Sequence, residues 1–396
     1  MLPFFDKSLY RNQHESFYTF CPKTLLRKIK FFKKNFKAEI LYAVKTNPSG
    51  FILEKLASLG IKSFDVASLN EIKIIRDIVS DAQIYFMNPI KPRYSINQAY
   101  FNYNVKNFAL DSSYELKKIL DETNNASDLV LHLRLNILNN FSKINLSNKF
   151  GIDIKSAPNL LKKIKRKSHK IGVCFHTGSQ CMHPSAYKIA IRIAIEVVKK
   201  SEINIDFLNV GGGFPSVYPG LEPTSLNDYF DEIHREFLNL QNFSSNTMLL
   251  SEPGRALVAE CMSLAVRVDL RKGNKLYIND GIYGSLNNAG FYGFNYPVKL
   301  LNREDKNSEI VPFSFFGPTC DAGDFMKGPF NLPDSVREGD WIEIGQMGAY
   351  STTMRTNFNG FFSEPKVFLV DKLATNLVNK LNLECAKDKI SRAGKI

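Results

Sequence analysis

The sequence predicts an α/β protein, with a (β/α)8 barrel of the TIM type followed by a mostly-β domain. Eight short apolar runs alternate with amphipathic segments over residues 40–251, the pattern of a parallel sheet with helical crossovers. The runs are nearly continuous in Val, Ile, Leu and Phe, as expected for strands buried on both faces. Later in the chain, helical periodicity is scarce and strand-like segments alternate with Gly, Pro and Asn turns. An open, doubly wound sheet shares the alternation and stays an alternative, because pattern alone does not establish closure.

Each element is predicted from its apolar period and its flanking residues. The predicted barrel strands are residues 40–44, 63–66, 84–87, 108–110, 129–135, 171–175, 205–210 and 248–251. The predicted helices are residues 50–59, 69–79, 94–101, 113–123, 157–167, 184–200 and 226–240. Helix-start signals support several of them: Ser68 stands three residues before Glu71, and Pro158 and Pro184 fall near first turns.

The second domain has its own series of predicted elements. Strands are predicted at residues 258–269, 275–279, 309–316, 341–344 and 367–370, and a helix at 371–383. Residues 15–20 are also strand-like. We therefore predict a barrel domain over residues 25–257, and a β domain over residues 258–396 that residues 1–24 complete.

The composition of the 396-residue chain is that of an ordinary globular protein, with 44% hydrophobic and 23% charged residues. No apolar run is long enough to cross a membrane and no signal peptide is evident, while six scattered cysteines without a CxxC pair fit a reducing compartment. We expect a cytoplasmic protein without a membrane partner.

The net charge of +13 suggests nucleic acid as a partner. The basic residues concentrate at helical spacing in 28–37 and 162–170, which is typical of solvated helix faces, and no binding module is recognisable, so we expect no nucleic acid.

Polar residues or glycines stand at the carboxyl ends of all eight predicted barrel strands. They are Lys45, Asp65, Asn88, Asp111, Arg134, His176, the glycines at 211–213 and Glu252. Because the active site of such a barrel is built at this end of the strands, the eight positions predict one pocket.

Lys45 and the glycine run have the chemistry of a cofactor site. A lysine that ends a buried strand is partly desolvated, which makes it nucleophilic toward carbonyl groups; the alternative is a lysine that extends to solvent at the barrel mouth. Three successive glycines let backbone N–H groups approach a phosphate, although a tight turn would also use them. The run is not GxGxxG and no Walker lysine follows, so a nucleotide site is disfavoured.

The acidic and basic residues after the eighth strand complete this pattern. Glu252 could keep a ring nitrogen protonated, as pyridoxal phosphate requires, and Arg255 could hold a phosphate; the alternative is that they pair with each other or with neighbouring strands. His176 brings an imidazole to the same rim. The Cys174, His176, Cys181 and His183 spacing matches no common zinc module, so we expect no metal.

A second polar cluster falls in the β domain. Cys320 is a thiol flanked by carboxylates, and Asp280 follows a predicted strand. A thiol in a pocket can donate a proton, and acidic groups bind cationic substrates. Two ordinary turns are the alternative, and without other information they are favoured.

Six motifs share the order of one family. They are Tyr42-Ala43-Val44-Lys45, His176-x-Gly178-Ser179, Gly211-Gly212-Gly213-Phe214-Pro215, Glu252-Pro253-Gly254-Arg255, Gly317-Pro318-Thr319-Cys320-Asp321 and Gly348-Ala349-Tyr350. The sequence resembles the alanine-racemase-like (fold type III) pyridoxal-phosphate decarboxylases, most of all the ornithine decarboxylases and the bacterial lysine/ornithine decarboxylases. Ala322 and Gly323 are smaller than the residues usual in this loop of the family.

The resemblance implies pyridoxal 5′-phosphate as the cofactor and a role for each motif residue. Lys45 would form the Schiff base, His176 would stack on the ring, Glu252 would pair with the ring nitrogen, and Cys320 would protonate the substrate. Asp280 and Asp321 would bind the distal amine. The implied cofactor-binding set is Lys45, Asp65, Arg134, His176, Ser179, Gly212, Gly213, Glu252, Gly254, Arg255 and Tyr350.

The implied activity is that of a carboxy-lyase in polyamine biosynthesis, which converts L-ornithine and/or L-lysine into putrescine or cadaverine. The implied assembly is a homodimer with shared active sites. Diaminopimelate decarboxylases are similar but resemble Cys-Glu-Ser where this chain has Cys320-Asp321, so the pair favours a substrate that ends in a plain ammonium. A non-catalytic regulatory homologue is the remaining alternative, and it is disfavoured because Lys45, Cys320 and Asp321 are present.

Overall fold

A computed structural model describes residues 2–4, 13–138, 140–144, 149–301, 307–373 and 375. The chain divides into two compact units. The first, here called the β unit, comprises Met1–Arg27, Ser216–Glu222 and Val258–Ile396, and the second, the barrel unit, comprises Lys28–Pro215 and Pro223–Leu257.

The strands and helices of the described residues are numbered along the chain. The strands are β1 (Phe17–Phe20), β2 (Glu39–Ala43), β3 (Ser63–Val66), β4 (Gln83–Phe86), β5 (Asn107–Leu110), β6 (Val130–Arg134), β7 (Ser142–Ile144), β8 (Lys170–Cys174), β9 (Ser179–Cys181), β10 (Phe207–Asn209), β11 (Met248–Ser251), β12 (Met262–Lys272), β13 (Lys275–Ile278), β14 (Val298–Leu300), β15 (Ile310–Phe316), β16 (Phe325–Pro333), β17 (Trp341–Ile344) and β18 (Lys366–Leu369). The helices are α1 (Pro22–Asn35), α2 (Gly50–Ser58), α3 (Leu69–Ile78), α4 (Arg93–Phe101), α5 (Ser113–Glu122), α6 (Ala157–Lys165), α7 (Ser185–Ser201), α8 (Leu226–Gln241), α9 (Arg255–Val258) and α10 (Asn287–Phe291).

The barrel unit is a closed parallel barrel with the strand order β10-β11-β2-β3-β4-β5-β6-β8. Closure is made between β2 and β11, where Glu39 lies opposite Leu250 and Ile40 lies opposite Ser251. The predicted (β/α)8 barrel is therefore confirmed, and the open, doubly wound alternative is wrong. The strand interiors are buried on both faces, which explains their nearly continuous apolar sequence.

Two of the barrel helices begin with the same side-chain cap. Ser68 accepts a hydrogen bond from the Glu71 N–H at 3.2 Å, and Ser112 accepts one from the Glu115 N–H at the same distance. The Glu71 carboxylate also accepts a hydrogen bond from the N–H of Ala67, the residue before the cap. These caps fix where each helix starts, and so set the length of the loop that follows the preceding strand. In the described part of the chain, no helix is long and apolar enough to span a bilayer.

The β unit contains an eight-stranded sheet with β14-β17-β12-β13-β15-β16 as its main path. The N-terminal strand β1 pairs antiparallel with β12 and parallel with β18, so the start of the chain lies in the same sheet as its later strands. This confirms a mostly-β portion after the barrel.

Several predicted elements of this region differ from the structure. The strand predicted from residue 258 begins only at Met262, because α9 and a 3₁₀ turn come first. Strands β14 and β16 were not predicted; β16 contains Pro329 and Pro333, which lower the strand propensity, and it lies at the end of the sheet path, where proline is tolerated. The helix predicted at 371–383 falls mostly outside the described residues.

Candidate active site

Lys45 lies in a 3₁₀ turn that follows β2 directly. Its ammonium Nζ lies 2.9 Å from Asp65 Oδ2, on the neighbouring strand β3. Asp65 is buried, with 3% of its side chain exposed, whereas 42% of the Lys45 side chain is exposed. The buried carboxylate therefore orients an amine that is still accessible at the barrel rim.

Glu252 follows β11 and is buried. Its Oε1 accepts a 2.7 Å hydrogen bond from Asn209 Nδ2. Burial raises the pKa of Glu252 to about 7, and the negative charge of Asp65 acts in the same direction; the charges of Lys45 and Arg134 oppose the shift. A protonated ring nitrogen placed against this carboxyl would favour its ionised form, since opposite charges stabilise one another.

His176 follows β8 as a neutral imidazole. Burial lowers its pKa well below the usual value, and the positive charges of Arg134 and Lys45 act in the same direction. Its Nδ1 accepts a 2.9 Å hydrogen bond from the Gly178 N–H, which fixes the proton on the other ring nitrogen. The ring therefore offers an uncharged face at the rim.

The glycine loop lies close to both of these residues. A Cβ added at Gly212 would stand 2.6 Å from the Glu252 carbonyl oxygen and 3.1 Å from His176 Nε2. One added at Gly213, where φ is +103°, would stand 2.5 Å from the Gly178 carbonyl oxygen. No other residue fits these two positions without a shift of backbone, so the glycines are required by close approach.

Arg255 supplies a buried guanidinium at the same rim. Its Nη2 donates to Ser179 Oγ at 3.3 Å. Gly254 precedes it, and a Cβ there would stand 2.0 Å from Thr46 Oγ1, in the turn that carries Lys45. The loop after β11 can therefore pack against the turn after β2 only with glycine at this position.

In the β unit, Cys320 and Asp321 are each held by a side chain from another loop. Cys320 is exposed, and both its N–H and its Sγ donate to Asn359 Oδ1 at 3.2 Å. Asp321 accepts hydrogen bonds from the Tyr283 hydroxyl and from the Gly323 N–H, and these bonds hold its pKa below the usual range. Asp321 is therefore a carboxylate at neutral pH.

Two further aspartates of the β unit are buried, and each accepts hydrogen bonds from other residues of that unit. Asp324 accepts from the Ile282 N–H and from both the N–H and the hydroxyl of Thr319, which ties the Cys320 loop to the turn after β13. Asp280 accepts four hydrogen bonds, at 2.7–2.8 Å, from the Gly281 N–H, the Ser285 N–H and hydroxyl and the Ser16 hydroxyl. Both line a cavity of about 310 Å³ within the β unit.

The predicted site residues thus fall into two groups. The barrel unit holds Lys45, Asp65, Arg134, His176, Ser179, Gly212, Gly213, Glu252, Gly254 and Arg255, and the β unit holds Asp280, Cys320, Asp321 and Tyr350. Asn209, Tyr283 and Asn359 were not predicted as site residues. Asn209 does end a barrel strand, which is a signal that could have found it, and Asn359-Gly360 has the composition of a turn.

A family model matches the barrel unit of this chain. The pyridoxal binding domain of the pyridoxal-dependent decarboxylases matches residues 23–259. The chain belongs to the pyridoxal-dependent decarboxylase family.

Its relatives agree with this assignment and differ in their named activities. The chain is 31% identical over 345 residues to a lysine/ornithine decarboxylase of Selenomonas ruminantium, which covers 85% of this chain and 84% of the relative. It is 32% identical over 384 residues to antizyme inhibitor 2 of Xenopus laevis, covering 89% and 80%. The solved arginine decarboxylase of Paramecium bursaria Chlorella virus, bound to agmatine, has a TM-score of 0.80 at 28% identity and covers 92% of this chain and 100% of that one.

The donor set of the barrel unit fits pyridoxal phosphate, the cofactor of this decarboxylase family. A primary amine at Lys45 matches the aldehyde, the Glu252 carboxyl matches the ring nitrogen, and the Arg255 guanidinium beside Ser179 matches the phosphate. The glycines of the loop add no side chain of their own beside Glu252 and His176.

The hydrogen bonds to Asn359 generate a prediction about the reactivity of the Cys320 thiol. Alkylation requires the thiol to give up its bond to Oδ1, so Asn359→Ala should speed alkylation of Cys320 by iodoacetamide about fivefold. The rate is measured by mass spectrometry on the peptide that carries Cys320. Asn274→Ala is the matched control, because that exposed side chain donates only to the Pro312 carbonyl in the same unit. Equal rates in the Asn359 variant and the wild type would contradict the prediction.

Proposed function

We propose that this chain decarboxylates an L-amino acid whose side chain ends in a cation, with L-ornithine and/or L-lysine as substrate and putrescine or cadaverine as product. The observation that supports it best is the Asp321 carboxylate, which Tyr283 and the Gly323 N–H keep ionised beside the Cys320 thiol. A fixed negative charge next to a proton donor is suited to a substrate with a distal ammonium.

The barrel residues would bind and orient the cofactor. Lys45 presents its amine at the rim, where it would hold the cofactor through its aldehyde, and Asp65 would keep that amine in place. Pyridoxal phosphate, when bound, accepts into its ring the electron pair that departing CO2 leaves behind. Glu252 would hold the proton on the ring nitrogen, His176 would lie against the ring as an uncharged plane, and Arg255, Ser179, Gly213 and Tyr350 would hold the phosphate.

Cys320 would supply the proton that completes the reaction. Its Sγ–H is exposed and is directed by Asn359, so the thiol is available to the α-carbon of a bound substrate. Because CO2 would have left the α-carbon at that stage, this proton would take the place of the lost carboxylate. The exposed thiolate would then regain a proton from water, and release of the product amine from the site would give the diamine.

The preferred substrate depends on the length of its side chain. Ornithine and lysine differ by one methylene, which is worth about 1–3 kcal/mol of discrimination in a pocket, so dual activity is part of the proposal. The arginine decarboxylase among the structural neighbours makes arginine a further candidate. Diaminopimelate carries a distal carboxylate, which Asp321 would repel.

Asp280 was also predicted to bind the distal amine, and that role stays a prediction. Its oxygens already accept four hydrogen bonds from residues of its own unit. A substrate ammonium would have to displace one of these donors. We therefore propose Asp321 as the principal partner of the substrate cation.

Loss of the Asp321 charge tests the proposed substrate class. Asp321→Asn should raise KM for ornithine and lysine about 10- to 100-fold, because a hydrogen bond to a charged group is lost. CO2 release is measured with ornithine, lysine, arginine and meso-diaminopimelate. Asp334→Asn is the matched control, since this acid pairs with Arg271 elsewhere in the β unit. A wild type that prefers diaminopimelate, or an Asp321 variant with unaltered KM, would refute the proposal.

The antizyme inhibitor among the relatives provides a second candidate, a non-catalytic regulator. The two functions predict different reactivity of the Lys45 amine toward pyridoxal phosphate. Borohydride reduction of the protein loaded with pyridoxal phosphate should label Lys45 covalently, because a lysine with an accessible amine forms a reducible linkage. Mass spectrometry locates the label, with Lys45→Ala as the negative control. A wild-type protein that is not labelled at Lys45 would favour the regulator.

We propose a homodimer as the active form, with the Cys320 loop of one chain completing the site of its partner. The exposure of Cys320 in the single chain supports this arrangement. Lys45→Ala and Cys320→Ala should each be nearly inactive alone. An equal mixture should recover about a quarter of wild-type turnover, because half of the dimers then contain one intact site. A mixture as inactive as its components would argue for sites built within one chain.

A further inference from the structure

We propose that Asn209 is a positioning residue, which clamps the Glu252 carboxylate to the glycine loop so that the ring-nitrogen and phosphate ends of pyridoxal phosphate are held in one fixed relation. The inference rests on the proposed role of Glu252, and it assigns a function to a residue outside the predicted cofactor set.

Both ends of the Asn209 amide are engaged, and they lead to different parts of the site. Nδ2 donates to Glu252 Oε1 at 2.7 Å, and Oδ1 accepts from the Gly211 N–H at 2.9 Å. The Glu252 N–H in turn donates to the Gly211 carbonyl oxygen at 2.8 Å. Asn209 is completely buried at the end of β10, so water does not compete for these bonds.

An amide suits this position better than a carboxylate of the same size. An amide is neutral at every pH and offers a donor to one neighbour and an acceptor to the other. Aspartate would have only acceptors, so it would face Glu252 as a second negative charge at hydrogen-bond distance. The shape would be the same while the sign of the interaction with Glu252 would be reversed.

Several charged residues surround Glu252, and each of them affects its pKa. Asp65 on β3 acts against its ionisation, whereas Lys45 after β2 and Arg134 on β6 favour it. Cys174 on β8 is buried, and burial raises its pKa to about 12, so it stays a neutral thiol; His176 stays neutral as well. Burial raises the pKa of Glu252 to about 7, and the hydrogen bond from Asn209 acts in the opposite direction by favouring the carboxylate.

The experiment measures binding of pyridoxal phosphate to the apo-protein by absorbance, and the stability of the apo-protein by thermal unfolding. N209D should weaken cofactor binding about 10- to 100-fold at pH 7. It should also move to higher pH the point at which binding reaches its plateau. Asn107→Asp is the matched control, because Asn107 is a second buried asparagine in a barrel strand and contacts Ile84 and His132 instead.

A double-mutant cycle separates positioning from a general loss of structure. In the E252Q background the charge conflict is absent, so N209D should weaken binding less than about threefold further. Equal losses in both backgrounds would overturn the proposal, as would wild-type binding by N209D. If N209D alone does not fold, recovery of a folded protein in N209D/E252Q supports the clamp, and failure to recover overturns it. A wild type that binds the cofactor but releases no CO2 would refute the proposed function and leave the clamp intact.

Discussion

The pairing of β2 with β11 is the constraint on which the site depends, because these two strands close the barrel. Ile40 lies opposite Ser251, and Ser251 Oγ adds a 3.2 Å hydrogen bond to the Glu39 carbonyl oxygen. Lys45 and Glu252 follow these strands directly, so closure brings residues from the two ends of the barrel unit to one rim. In an open sheet of the same order, they would lie on opposite edges. The chemistry of the site is therefore a consequence of topology before it is a consequence of any single side chain.

Closure also brings several charged side chains together in a buried part of the barrel, where neighbouring groups stabilise their charges. A buried charge without a partner costs several kcal/mol, so each carboxylate needs its own donor. Asp65 has the Lys45 ammonium, and Glu252 has the Asn209 amide. The neutral state of His176 fits the same balance, because a further cation beside Lys45 and Arg134 would be repelled. In the β unit, Tyr283 and the Gly323 N–H stabilise the charge of Asp321, which is only partly buried.

The sequence was informative where burial dictates residue type. Strands β3 and β11 have the predicted bounds, because strands buried on both faces must be apolar throughout. Strand β16 was not predicted because its prolines lower the strand propensity, although an edge strand tolerates them. The polar residues at the strand ends were predictable as a group, but their partners were not. Whether Asn209 meets Glu252, or Asn359 meets Cys320, depends on side-chain geometry that no periodicity encodes. The net charge of +13 was the least informative signal, since the local carboxylates, and not the sum, determine which ligand is favoured.

The bonds made by Asp324 hold the base of the Cys320 loop and leave its tip exposed to solvent. The base is held because Asp324 accepts from Thr319 and Ile282, while Ala322 and Gly323 at the tip are small and exposed. Changes of size or charge at the tip would therefore leave the base in place. Under the proposed function, this separation would give evolution, or a designed library, two positions at which substrate length could be altered while the frame that carries the thiol stays in place.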